Sequence, residues 1–546
     1  VAIAVGGFFL KMNIMLKKTA VSSGTKAAIL FGVIFLLSLF IRLPHLAERP
    51  MHSDEAINGF KYGELLESGR YIYDPREYHG PALYYFTLPL SLFSGHSNLR
   101  ELTETELRLE PVLMFLFLLS SLLIIRRELG WNTLLIAAGL LAVSPAMVYY
   151  SRYYIHEITL VAFLYHALFW LYRYLREQKL HQLLFAAWFW GLAISAKETW
   201  LVAAALSLPA ASVVLFMEKK APASVAARLA QPAASAGKAR FWHWGLALML
   251  ILLVAALFYS SFLGWRPGLK DACTAYSNYF NRAVESSVHI QPWYFYLERL
   301  LWFNTEEGNA WSEGAILIPA ALFFLILNRK SHRAKSLSGF LAVLSFGMLA
   351  VFSLIPYKTT WNLLTFWPGI VILAAAAIEF LWLKMKNRRR QIIFAGFLIS
   401  VFIQLAWQSY QLNYAYPASP QNPYVYAHPT PDVVKLAEQI VKIAEAQPSG
   451  FRIHTAIPEH DYWPLPWYLR SLKTTAWSVD IDSSIIAASI IVIAPEDEDR
   501  LLHFLYEIPP PGQRNLYIPL IDSVCWLRPG KEICAYARKD ALDCIP

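Results

Sequence analysis

Between residues 27 and 409 the chain repeats one pattern: an apolar run, a short polar break, then another apolar run. The runs fall at about 27–44, 109–125, 131–150, 158–172, 181–196, 199–217, 243–263, 315–328, 337–355, 363–383 and 391–409. A helix needs about 20 apolar residues to cross a bilayer. The pattern therefore predicts a polytopic α-helical membrane protein with about eleven transmembrane helices, two of them short. The first run has a basic flank at Lys17, Lys18 and Lys26, as a secretory signal does, but no small-residue cleavage site follows. It reads as a retained helix preceded by a cytoplasmic segment, 1–26.

Orientation follows from where Lys and Arg fall in short loops. With the N-terminus inside, the inside segments carry 23 Lys and Arg against three acids, Glu128, Glu177 and Glu218. The same bias decides the apolar stretch 80–95, GPALYYFTLPLSLFSG. Were it to span, every later basic cluster would lie outside. It reads instead as a helix that lies in, or re-enters, the outer interface. The transmembrane region is then 27–410, with outer loops 45–108 and 264–314 and the C-terminus outside. The expected location is the plasma (inner) membrane, crossed many times.

After residue 410 the pattern changes. Pro and Tyr punctuate 414–430 and mark 411–430 as a linker. Apolar spacing near 3.6 predicts a helix over 431–446; 451–456, 485–493, 515–520 and the chain end read as strands, and 496–507 as a helix. Residues 431–546 are thus expected to form an extracytoplasmic α/β domain. Its last stretch, SVCWLRPGKEICAYAR, has a two-residue turn at Pro529–Gly530. Counting outward from that turn sets Cys525 opposite Cys534, at a separation that suits a disulfide in an oxidising compartment. The alternative is two free thiols. Cys273 and Cys544 have no evident partner.

Composition agrees with a membrane chain. Of 546 residues, 56% are hydrophobic and 16% charged, against about 45–50% and about 25% in soluble domains. Nineteen Trp and 29 Tyr suit aromatic belts at the two interfaces. The net charge of +9 sits in short clusters between apolar runs and does not indicate nucleic acid. No CxxC pair is present, which argues against a zinc site.

Polar residues that membrane-edge packing does not require collect in the outer loops. They are His52-Ser53-Asp54-Glu55, then Arg152 to Glu157 with His156, then Lys197-Glu198, then His289 with Trp293 and Tyr294, and last Tyr357-Lys358. Acids and bases converging on one face of a membrane suggest a site for an anionic substrate. A carboxylate serves as general base toward a hydroxyl, and Lys or Arg neutralise a phosphate. The plain alternative is a set of solvated loop residues and local ion pairs. Lys197-Glu198 resists it, because almost no loop surrounds the pair. Nothing in the sequence requires a cofactor. His52, His79, His156 and His289 leave a divalent cation as an alternative to ordinary hydrogen bonding.

A first helix ending in Arg-Leu-Pro, then HSDEAINGF, then YDPREYHGPALYYFTLPLSLF resembles the lipid-phosphate-sugar-dependent glycosyltransferases of the GT-C fold. That set includes protein O-mannosyltransferases and aminoarabinose transferases. SRYYIHE, SAKETW, HIQPWYFYL, SLIPYKTTWNLL and YVYAHPTPDVVKLAEQI look like a group named for an association with flippase activity and linked to archaeal-type N-glycosylation. The resemblance runs from about 27 to 440. It implies a catalytic Asp in the first outer loop, which Asp54 matches with Glu55 as its neighbour, and a second acid after the third helix, which Glu157 matches. It also implies a donor sugar on a polyprenyl phosphate, bound among membrane lipids, and a glycan, lipid or protein acceptor. By position and charge, Arg152, Lys197 and Lys358 are expected to hold the donor phosphate. His52, His156, Glu198, His289, Trp293, Tyr294 and Tyr357 are expected to line the substrate. The rival expectation is a flippase or flippase accessory that binds the same lipid without breaking it. A third is a structural partner acting through its C-terminal domain.

Overall fold

The computed structural model describes residues 23–75, 79–219, 241–285, 289–305, 308–325, 335–447, 450–473, 475–521 and 525–544. Much of the basic inside sequence that fixed the expected orientation (11–18, 220–240 and 329–334) lies outside them.

Every apolar run lies on a helix. In chain order the helices used below are α1 Ser23–Arg42, α2 Ser53–Ser68, α3 Ala82–Ser94, α4 Glu104–Ser121, α5 Arg126–Val143, α6 His156–Glu177, α7 Leu180–Ile194, α8 Trp200–Lys219, α9 Phe241–Tyr259, α10 Gly268–Glu285, α11 Gly314–Leu325, α12 Lys335–Leu354, α13 Trp367–Lys384, α14 Arg388–Tyr410 and α15 Pro431–Ala446. Seven of them, α1, α6, α8, α9, α12, α13 and α14, are long and apolar enough to cross a membrane. The other four apolar runs fall short by that measure for visible reasons. α4 opens with Glu104, Glu106, Arg108 and Glu110, α5 opens with Arg126-Arg127-Glu128 and breaks at Gly130, α7 has 15 residues and α11 has 12. The stretch 80–95 is a helix, α3, lying against α2, α4 and α6.

The bundle is built around α6, whose side chains are buried from His156 to Tyr174 apart from Trp170 and Arg173. α7 and α4 pack on it, while α13 lies between α5, α11 and α12. Helices α1, α9 and α14 turn large apolar side chains outward, Phe40, Leu252 and Phe397 among them. In water that surface would be costly; in lipid it is the expected solvent face.

The C-terminal part is a six-stranded sheet, β3 Ile453–Ala456, β4 Thr475–Ser478, β5 Ile490–Ile493, β6 Tyr517–Pro519, β7 Cys525–Arg528 and β8 Lys531–Arg538; a small hairpin, β1 Phe303–Asn304 with β2 Ala310–Trp311, precedes it in the chain. The order is β4-β3-β5-β8-β6, with β7 also on β8. β4, β3 and β5 are parallel, and β8 runs against them. All four residues of β5 are buried, as a strand covered on both faces requires. α15 covers one face with Val433, Leu436 and Ile440.

The hairpin corrects the expected disulfide. The turn at Pro529–Gly530 forms, with Arg528 opposite Lys531 and Gly530 at φ 79°. A bulge at Leu527 then shifts the register, so Cys525 faces Ile533 rather than Cys534. One residue of slip turns a side chain to the other face of a strand. Cys525 packs in the cluster under α15, Cys534 in the cluster on the opposite face, and both are free thiols.

Residues 411–430, a linker by composition, are pinned in place. Tyr424 is buried and its hydroxyl donates to Glu313 at 2.6 Å, while Asn422 donates to the carbonyls of Leu412 and Tyr416 at 2.9 and 3.0 Å. The sheet domain docks on α2 and the start of α4 through Trp467. Its indole donates to Glu104 at 2.7 Å and lies where any Cβ on Gly59 would sit. Tyr468 accepts from the Met51 amide at 2.7 Å, and Arg470 donates to the Leu102 carbonyl at 2.6 Å.

Candidate active site

α2 begins where a capping box stops the preceding loop. The His52 ring accepts from the Asp54 amide at 3.0 Å and Glu55 accepts from the His52 amide at 3.2 Å. This fixes opposite fates for two adjacent carboxylates. Glu55 points inward and is fully buried. Arg108 grips it through two bonds of 2.8 Å, and the Tyr154 amide donates to it at 2.9 Å. Burial alone would push this carboxyl up; Arg108 and Arg49 outweigh it and hold the pKa at about 2. Asp54 points outward, with its side chain half exposed. Its charge favours the protonated forms of His52, Lys197, His289 and Arg528, which marks what surrounds it.

On one side of Asp54 lies an aromatic wall. The His52 ring stands 5.2 Å from His428, 5.6 Å from Tyr153 and 5.8 Å from Trp361. Burial lowers the pKa of both His52 and His428, so both rings are neutral near pH 7. His289 bonds to the Tyr426 hydroxyl, and its ring lies 5.3 Å from Tyr357. The loops carrying it and Lys358 are stitched together, with Ile290 bridging Tyr357 and the Lys358 amide donating to the His289 carbonyl at 3.1 Å.

A buried ionic group lies within reach of the charge of Asp54. Lys197 pairs with Glu157, and Glu198 meets His79 at 2.7 Å. Burial disfavours both charges, but Glu157 raises Lys197 and His79 lowers Glu198, so both stay ionised. The His156 ring packs against His79 and Tyr84. A close backbone approach sets this up: the Ala82 amide donates to the Ser195 carbonyl at 2.8 Å, and a Cβ on Gly80 would strike that carbonyl. Only glycine lets the 79–82 turn lie this near the end of α7.

The expected residues therefore divide. Asp54 lies 3.9 Å from His52, and its charge acts on Lys197 and His289, with Glu157 paired to Lys197, Glu198 next to it in the chain and Tyr357 against the His289 ring. Glu55 is a buried brace with its oxygens occupied, which removes it as a base. Arg152 is turned away; it donates to the carbonyls of Pro44 and His45 at 2.5 and 3.1 Å and lies over Tyr414. The Lys358 amine donates to the carbonyls of Ile355 and Gln291 at 2.5 and 2.9 Å. Trp293 and Tyr294 are exposed on the rim. Two residues absent from the sequence reading belong here. His428 sits in a segment whose Pro content reads as linker, and Arg528 comes from a strand end 474 residues after Asp54. Among the described residues no group of three His, Cys, Asp or Glu side chains is arranged to hold a metal ion.

Residues 92–265 match the family model described as dolichyl-phosphate-mannose-protein mannosyltransferase. No curated protein matches the chain. Among solved structures, ArnT from Cupriavidus metallidurans aligns in its apo state with a TM-score of 0.58 at 14% identity, over 94% of this chain and 98% of that one. The same protein bound to undecaprenyl phosphate aligns with a TM-score of 0.59, again at 14% identity and over the same shares of the two chains. The archaeal oligosaccharyltransferase AglB from Archaeoglobus fulgidus, in complex with an inhibitory peptide and a dolichol-phosphate, aligns at 0.51 and 13% identity over 89% of this chain and 71% of that one. Over these spans the chain shares the GT-C-type fold of ArnT and AglB.

Proposed function

We propose that the chain is a glycosyltransferase that moves a sugar from a polyprenyl-phosphate donor to an acceptor hydroxyl at the outer face of the membrane. The observation that carries this reading is Asp54. It is a half-exposed carboxylate at the start of α2, 3.9 Å from the His52 ring, and its charge acts on Lys197, His289 and Arg528. Asp54 takes the proton of the acceptor hydroxyl. The oxygen attacks the anomeric carbon from the face opposite the leaving group, the bond from that carbon to the phosphate oxygen breaks, and polyprenyl phosphate departs with the electron pair. The sugar is inverted at that centre. A leaving phosphate needs less protonation than an alcohol, so the second acid, Glu157, need not reach the substrate; it holds Lys197 in its charged form near the site. Positive charge near Asp54 stabilises the departing phosphate. Exposed Trp293 and Tyr294 flank the lipid tail. The undecaprenyl phosphate in ArnT and the dolichol-phosphate in AglB support a lipid-phosphate donor here.

The test is release of free polyprenyl phosphate from a panel of polyprenyl-phosphate sugars by the protein in lipid, with crude acceptor extract, for wild type and Asp54→Asn. Release by wild type alone is the expected result. Release by the variant at the wild-type rate removes Asp54 as the base. Binding of lipid-linked sugar without release by either protein replaces the transferase with a non-catalytic carrier.

A further inference from the structure

We propose that Arg528, carried by the β7–β8 hairpin of the C-terminal sheet, is a binding residue for the donor's phosphate, and that Asp461 occupies its guanidinium until the lipid arrives. The inference rests on the polyprenyl-phosphate reading above, but not on the transfer step.

The cations expected to hold the donor phosphate are already committed. Arg152 and Lys358 are spent on backbone carbonyls. Lys197 is paired with Glu157, and both side chains are nearly inaccessible, 8% and 3% exposed. An anion that drew Lys197 away would strand a buried carboxylate without a counter-charge, which is strongly unfavourable. Arg528 differs on both counts. Its side chain and that of its partner Asp461 are 19% and 18% exposed, so a ligand can reach the pair. Asp461 is also shared: the Lys531 amine lies 3.2 Å from its second oxygen. When Arg528 turns to an incoming phosphate, Asp461 keeps a cation.

Position supports the same choice. One Arg528 nitrogen stands 3.4 Å from the Ser53 hydroxyl and 3.3 Å from the Trp463 carbonyl, so the guanidinium sits on the N-terminal turn of α2, one residue from the base. Burial lowers the pKa of Arg528 and the charge of Asp54 partly offsets it, while Arg528 in turn disfavours the protonated forms of His52 and His289, so the guanidinium lies within reach of both rings. A guanidinium there can take two phosphate oxygens at once, which an amine cannot do. The site is then incomplete without the C-terminal domain.

The test measures binding of undecaprenyl phosphate to the full chain in lipid nanodiscs, with no sugar and no turnover. Arg528→Gln is expected to weaken binding at least tenfold and Arg528→Lys by less. Asp461→Asn, which removes the competing carboxylate, is expected to tighten it severalfold. A purely structural pair would move both variants the same way. Loss of binding in Asp461→Asn equal to that in Arg528→Gln, with unfolding temperatures lowered alike, therefore overturns the proposal. So does unchanged binding in Arg528→Gln, or no binding by wild type. If wild type releases no sugar from any donor yet binds the lipid phosphate through Arg528, the transferase reading fails and this one stands.

Discussion

Arg108 of α4 and Glu55 of α2 share two parallel bonds of 2.8 Å in a space closed to water. The arginine also donates to the carbonyls of Leu46 and Arg49 at 2.6 and 2.9 Å. Through this one guanidinium, the membrane bundle holds the loop that presents Asp54.

The pair fixes an acid dependence. The folded pKa of Glu55, about 2, lies below its unfolded value, so its stabilisation is complete above the unfolded pKa and lost as pH falls toward 2. The shift corresponds to about 3 kcal/mol at neutral pH. Glu55→Gln is expected to lower the unfolding temperature at pH 7 and to flatten its fall between about pH 5 and pH 2. An unfolding temperature unchanged at pH 7 would show that Glu55 braces nothing.

Glu157 and Lys197 form a second buried pair, whose lysine feels the charge of Asp54. Removing one partner leaves a charge uncompensated at a cost of about 3–5 kcal/mol. Glu157→Gln and Lys197→Met are each expected to destabilise strongly, and the double variant by less than the sum of the two. Thermal unfolding of the four proteins gives the coupling energy. Additive effects would mean that the pair is not formed.

The cysteines give a chemical readout of the hairpin register. Cys273 and Cys544 are exposed, while burial pushes the Cys525 thiol up to about 12. A maleimide at pH 7 is expected to label Cys273 and Cys544 fast and Cys525 only after unfolding. A linked peptide joining Cys525 to Cys534 would restore the symmetric hairpin.

That hairpin shows where sequence reasoning stops. Its turn was legible, because Pro-Gly between two apolar strands has few alternatives. The bulge at Leu527 was not, because it answers to packing under α15 and leaves no local signature. The membrane helices were legible for the opposite reason: each carries its own apolar length. α15 was read to the residue, since its 3.6 period and Pro431 are local. β4 was missed; Thr475–Ser478 is short and has no fully buried residue. Asp54 and Glu55 look alike as neighbours in sequence. Only the capping box, which turns one inward toward Arg108, tells them apart. His428 and Arg528 reach the site by tertiary contact, and no spacing rule links them to Asp54.

The last prediction concerns docking of the sheet domain. Gly59 faces the buried Trp467 ring so closely that a Cβ would meet its carbons and those of Leu107. The ring cannot shift without giving up its docking contacts, because its indole is held by Glu104 and Arg470 stacks 3.9 Å from its centre. Gly59→Val adds a branched side chain to the α2 face that Trp467 covers, one turn after Glu55, whose carboxylate stays held by Arg108. It is therefore expected to displace Trp467 while the helix bundle stays folded. Hydrogen exchange should rise at 465–470 and at Met51, whose amide is held by Tyr468. Since Arg528 rides on the same domain, undecaprenyl phosphate binding should fall with it. Faster exchange at 465–470 with binding intact would place the phosphate contact in the membrane bundle alone.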